Sequence, residues 1–140
     1  MNKMPEYVVE LLNPSDAEKY AADAAHLYRQ AGWIEESTPA SELIPILRNA
    51  YCVMGAWDGN GRLIGMMRAL SDGVSDAYLL DMVVEEAHRR KGLAHEILRR
   101  LNAYLKEKGI DWIVCISVPG AQKLYADNGA KMDGFMPFRF

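Results

Sequence analysis

The sequence predicts a mixed α+β domain over residues 1–140, in the order β-α-α-β-β-β-α-β-α-β, and three stretches carry that expectation. The first is 79–101, where a short apolar run ends in the polar turn Glu85-Glu86-Ala87-His88-Arg89-Arg90-Lys91-Gly92 and helical spacing takes over. The second is the pair of apolar runs 51–57 and 62–70 around Asp58-Gly59-Asn60-Gly61, whose residue types tolerate the positive φ of a tight hairpin. The third is the stripe Ala17, Tyr20, Ala21, Ala24, Leu27, Tyr28 and Ala31, which recurs at intervals of three and four as on one face of a helix.

In chain order, 7–12 reads as a first strand, and Asn13-Pro14-Ser15-Asp16 opens the first helix. Two caps are open: Asn13 with Pro14 at the first helical position, or Ser15 with Glu18 as a capping box. Gly32 suits the end of that helix. The stripe is core packing, although Tyr28, Trp33 and Glu35 near the helix end could line a pocket. A second, weaker pattern with Leu43, Ile46, Leu47 and Ala50 spans 38–50, and Pro45 makes it short or irregular. After the hairpin, Ser71-Asp72-Gly73 turns into a third strand over 76–84. The next helix sets Leu93, Ala94, Ile97, Leu98, Leu101, Tyr104 and Leu105 on one face, with His95, Arg99 and Arg100 on the other, and ends at Gly109. Residues 112–118 read as a buried strand, 119–128 as a short helix ended by Gly129, and 131–140 as one last strand.

Half of the residues are hydrophobic and a quarter charged, a globular balance. A formal charge of −3 leaves no net basic footprint for nucleic acid. The N-terminal residues lack an apolar signal core, and no apolar run approaches the roughly 20 residues that span a bilayer, so a soluble cytoplasmic protein is expected. Cys52 and Cys115 fall in predicted strands without metal-like spacing and read as buried free thiols. His26, His88 and His95 are scattered, so no metal is expected.

Positive charge is instead local, at Arg89, Arg90 and Lys91 and at Arg99 and Arg100. A helix N-terminus leaves backbone N–H groups unpaired and carries partial positive charge, so this basic loop suits a small polyanion. Gly92 and Ala94 leave room for phosphate oxygens to reach the backbone. Neither a Gly-x-Gly-x-x-Gly nor a Walker A lysine motif is present.

The spacing Arg-x-x-Gly-x-Ala from Arg89 to Ala94, after a strand ending in Val84, resembles the pyrophosphate-binding signature of the GNAT superfamily of acyl-coenzyme A N-acyltransferases. The element order agrees with the GNAT fold over essentially the whole chain, and the specific mixed central sheet flanked by helices is what the resemblance adds. It implies acetyl-CoA as co-substrate, with the diphosphate on the main chain of Arg89, Arg90, Lys91, Gly92, Leu93, Ala94 and His95. It further implies the pantetheine arm along Met82, Val83 and Val84. The family segment Asn-x-x-Ala-x-x-x-Tyr-x-x-x-Gly-Phe is matched at Ala121, Tyr125 and Gly129, while Val118 and Ala130 replace the Asn and the Phe. The matching tyrosine makes Tyr125 the expected proton donor to the leaving thiolate.

Acetyl transfer to a primary amine, in a ternary complex, also requires a proton acceptor. Asp81, mid-strand among apolar neighbours, is the unusual acid; it reads either as that acceptor or as a structural hydrogen-bonder, with Glu85 and Glu86 as solvent-side alternatives. The other class of function on the same fold is a coenzyme A-binding sensor or structural module without transfer. The resemblance implies a small-molecule amine or peptide acceptor, while the net charge and the lack of a long apolar run point to no nucleic-acid or membrane partner. Only 129–140 follows the last helix, where the family normally has two strands, and its Phe135, Met136, Phe138 and Phe140 are apolar. Two outcomes are open: a homodimer in which each tail completes the other subunit's sheet or pocket, or a short hairpin folded back on its own sheet.

Overall fold

The computed structural model describes residues 3, 4 and 6–140. Among these residues one mixed sheet runs in the order β1 (Lys3–Met4), β2 (Tyr7–Leu11), β3 (Cys52–Trp57), β4 (Leu63–Ser71), β5 (Asp76–Val84) and β6 (Trp112–Cys115). Neighbours are antiparallel except β5 and β6, which are parallel because helix α3 (Leu93–Glu107) carries the chain back across one face. Helices α1 (Ala17–Gln30) and α2 (Leu43–Asn49) cover the other face, and a short α4 (Gln122–Asn128) follows β6.

Period-two alternation sorts the strand residues between two cores. Val53 and Trp57 of β3 pack with Ala21, Leu27, Leu43 and Leu47 of the α1 and α2 layer. Met54 and Ala56, one residue out of step, pack with Leu93, Ile97, Leu101 and Leu105 of α3. A leucine buried this completely stabilises the fold by about 1.5–3 kcal/mol over leaving it in water, so the two helical stripes dictate which layer each helix joins.

Local chemistry explains the element ends. Asn13 Oδ1 accepts from the N–H of Ser15 at 3.0 Å, with Pro14 at the first position of a 3-10 turn that leads into α1. Of the two caps open in the sequence, the asparagine is used. Helix α2 has seven residues, and Pro45 sits in its first turn, where its missing N–H costs nothing. In the β3–β4 hairpin, Asp58 Oδ1 accepts from the N–H groups of Asn60 (2.9 Å) and Arg62 (3.0 Å), and Gly61 takes φ +79.

Three expectations are corrected. The tail does not return as a strand. Pro137 removes a ladder donor midway along it, and Phe135, Met136 and Phe138 stand 67%, 74% and 77% exposed. Strand β6 pairs over four residues rather than seven and is an edge, with Trp112 half exposed and tilted against Phe135 at 6.5 Å between ring centroids. Arg100, placed on the solvent face of α3, is half buried and donates from Nη1 to the carbonyl of Val9, tying the helix to β2. No helix among the described residues is long and apolar enough to cross a membrane.

Candidate active site

The site is built where β5 loses its alternation. Arg68 of β4 faces Leu80, but the next pair is Met66 with Val83, so Met67 alone lies opposite Asp81 and Met82. The extra residue is a β-bulge, and Asp81 takes it at φ +59. Ala77 and Leu79 pack toward α3 before the bulge, and Met82 and Val84 do so after it. The strand has changed phase.

The bulge turns Asp81 toward α1. Its Oδ2 accepts from Tyr28 Oη at 2.6 Å and from Arg68 Nε at 2.7 Å. The carboxylate is therefore partnered, unlike the lone acid suggested by the sequence, and Oδ1 carries no hydrogen bond among the described residues. Asp81 and Arg68 keep 21% and 18% of their side chains exposed, so the pair opens to solvent at one side. Tyr28 is buried, and its phenol is pushed far above the usual range by desolvation, with the Asp81 hydrogen bond and charge adding to it. Only its hydroxyl reaches the site. Trp33, 43% exposed, lies edge-on to the Tyr28 ring at 5.1 Å, while Glu35 faces solvent.

Beside the bulge the sheet opens. The parallel ladder between β5 and β6 runs from Asp76 with Trp112 to Leu79 with Cys115 and ends there. Beyond it the β6-side main chain of 80–84, which includes Met82, Val83 and Val84, has no strand partner among the described residues. Tyr125 of α4 is half-buried on the α3-side core and neighbours Cys115, where the ladder ends. Burial raises its pKa, and the neighbouring Cys115 and Tyr78 raise it further, so its phenol stays protonated at neutral pH. Its hydroxyl has no hydrogen-bond partner among the described residues.

The strand end feeds the basic loop. Glu85 N–H bonds the carbonyl of Ile64 at 2.8 Å, a 3-10 turn spans Glu86–His88, and Arg90 (φ +63) and Gly92 (φ +80) are both left-handed. Gly92 is the N-cap of α3 and offers no side chain to the first turn, so the N–H groups of Leu93, Ala94 and His95 face outward without a cap. Arg89 bends back, its Nε bonding the carbonyl of Val84 at 2.8 Å. Arg90 and Lys91 are exposed, and Lys91 lies a loose 3.9 Å from Glu6. His95 is exposed, and its Nδ1 accepts from the Asn128 amide at 3.0 Å, joining α3 to α4. Tyr125 is thereby referred to the loop.

Glu85, expected in solvent, is largely enclosed. Its two oxygens meet His26 Nε2 at 3.4 Å and His88 Nε2 at 3.2 Å, and His88 Nδ1 shares a 2.7 Å hydrogen bond with Tyr7 Oη. Glu86 is exposed as expected. Sequence reasoning missed Arg68, Tyr7 and the hydrogen-bonding part played by Tyr28. A signal for Arg68 existed: the one arginine inside β4 and an aspartate among the apolar residues of β5, joined by a short turn, are of opposite charge and can meet across the pair.

Known proteins resemble the chain in sequence and in fold. The chain is 28% identical over 106 residues to an uncharacterized ycf52-like N-acetyltransferase of Prochlorococcus marinus, covering 74% of this chain and 58% of that protein. It is 36% identical over 73 residues to the chloroplastic serotonin N-acetyltransferase 2 of Oryza sativa, covering 52% of this chain and 36% of that one. The chain thus spans less than two thirds of either relative's length. An aminoglycoside acetyltransferase from an uncultured soil metagenomic sample superposes with a TM-score of 0.76 over 96% of this chain and 97% of its own at 19% identity, a likeness of fold alone. Residues 18–130 match the model of the acetyltransferase (GNAT) family, and the chain belongs to that family.

Proposed function

We propose that the chain is an acetyl-CoA-dependent N-acetyltransferase that moves an acetyl group to a primary amine by direct transfer in a ternary complex. The observation that carries this reading is the main chain of 80–84, without a strand partner on its β6 side among the described residues, followed through the basic loop by the uncapped start of α3. A strand end open on one side can accept an extended pantetheine arm, and the loop from Arg89 to His95 can accept a diphosphate, with Gly92 leaving the backbone accessible. Those features fit acetyl-CoA. The co-substrate supplies the activated thioester; the chain orients it, and a main-chain N–H near Met82 to Val84 meets the developing oxyanion.

The amine nitrogen bonds to the carbonyl carbon as the carbon–sulfur bond breaks. Tyr125 gives its phenolic proton to the departing thiolate, and the proton lost by nitrogen leaves toward Asp81 Oδ1, directly or through water. A coenzyme A-binding module without transfer needs neither a protonated tyrosine at the opening nor a carboxylate with a free oxygen. Both are present here, which favours the enzyme. The acceptor is a small-molecule or peptide amine entering beside Trp33 and Asp81, and the cytoplasm is the expected place of action. The exposed tail and the open β6 edge suit a second copy of the chain, each tail covering the partner's edge.

Calorimetry with acetyl-CoA tests the central reading: the wild type should bind with a matching rise in Tm, and Gly92→Asp should bind at least about tenfold more weakly. Absence of heat and of any Tm shift with the wild type overturns the assignment. For Tyr125→Phe, kcat should fall on the order of 10²-fold with acetyl-CoA affinity nearly unchanged. Because the Tyr125 pKa is raised, any alkaline fall in wild-type kcat caused by its ionisation should lie above the ordinary phenol value of ~10. An unchanged kcat with chemistry rate-limiting assigns Tyr125 to packing. Sedimentation at micromolar concentration should give a dimer for the full chain and a monomer after truncation at Asp133; a full-length monomer contradicts the assembly.

A further inference from the structure

Two residues from outside the opening meet within it, at Asp81. Asp81 is a non-glycine residue held in the left-handed region, a conformation that L-residues leave unless their surroundings impose it. Aspartate tolerates it better than most, because its short side chain can bond locally. Here it bonds two other elements instead. Tyr28 reaches it from α1 and Arg68 from β4, both on the same oxygen, Oδ2.

Each donor is itself fixed. Tyr28 is 3% exposed, so its ring has no freedom to follow a moving carboxylate. Arg68 stands opposite Leu80, one residue before the bulge, and its guanidinium balances the Asp81 charge in a half-buried position. The next residues of β5 are Met82, Val83 and Val84, whose phase depends on the bulge.

Building on the proposed function, we propose that Arg68 and Tyr28 are positioning residues: together they clamp Asp81 in its left-handed bulge and so aim the main chain of Met82 to Val84 at the thioester. Neither needs to contact substrate. Loosening the clamp lets Asp81 relax toward ordinary strand geometry, which rotates the N–H groups that follow it. A misplacement of about 1 Å at a reacting centre costs on the order of 10²-fold in rate. The diphosphate loop lies beyond the bulge, where Glu85 is held between two histidines. Coenzyme A affinity, which the loop shares with the main chain of Met82 to Val84, should therefore fall less than turnover does.

The test compares Tyr28→Phe, Arg68→Met, Asp81→Asn and Asp81→Ala by two readouts. Amide NMR signals of the unliganded protein are expected to move most at Met82, Val83 and Val84 in Tyr28→Phe, Arg68→Met and Asp81→Ala, more than those of β2 and β3. Asp81→Asn should leave them close to wild type, since asparagine tolerates the left-handed region and its amide oxygen can accept both bonds. Turnover, counted per coenzyme A-binding site measured by calorimetry so that unfolded protein is excluded, should fall ten- to hundredfold in Tyr28→Phe and Arg68→Met. The Kd for coenzyme A should rise by a smaller factor than turnover falls. If both variants keep wild-type amide signals at Met82 to Val84, or wild-type turnover per binding site, the clamp is overturned. A wild type that binds no acetyl-CoA refutes the functional reading instead, while the amide comparison still judges the clamp; Tyr28→Phe keeps the buried ring and serves if Arg68→Met does not fold.

Discussion

The Asp81 carboxylate, held by Tyr28 at 2.6 Å and Arg68 at 2.7 Å, is the interaction on which the geometry of the opening depends. A regular β5 would continue its alternation past Leu79 and carry Asp81 to the α3 side, into an apolar core where a charge is costly. One extra residue avoids that. It places the carboxylate on the α1 side beside two donors and returns Met82 and Val84 to the α3 core. Because the ladder to β6 stops at Leu79, the same stretch of strand is left with one edge open.

Around that opening, side chains mostly hold main chain, and main chain is what the proposed co-substrate would meet. Arg89 closes back on the Val84 carbonyl, Glu85 sits between His26 and His88, and His88 is tied to Tyr7 of β2. Arg100 fastens α3 to Val9, and His95 fastens it to Asn128 of α4. The N–H groups at the start of α3 can remain without a cap because α3 is already held by its buried face and by these links. Recognition of a phosphate by backbone requires a backbone that does not move, and this shell of polar contacts provides it.

Most of the fold could be read from the residues themselves. The stripes of α1 and α3, the Asp58 hairpin, the bounds of β5 and the irregularity at Pro45 each rest on local chemistry that tertiary contacts reinforce. So did the loop and its glycine, since a left-handed N-cap calls for that residue type. Features set by non-local pairing were harder to see. The bulge at Asp81 depends on register against β4, which alternation within β5 cannot reveal. Glu85 and Arg100 look like surface charges in one dimension, and their long-range partners, His26 of α1 and the Val9 carbonyl of β2, come only with the tertiary fold. The tail was misread from its aromatic residues, when Pro137 was the more telling signal.

Backbone hydrogen–deuterium exchange, with and without saturating acetyl-CoA, bears most directly on the claim that an open strand end and an uncapped helix start form one ligand site. The account predicts that protection rises together in two separate stretches, 82–84 and 92–96, with little change in β2 and β3. Protection confined to other segments, or in only one of the two stretches, would contradict it.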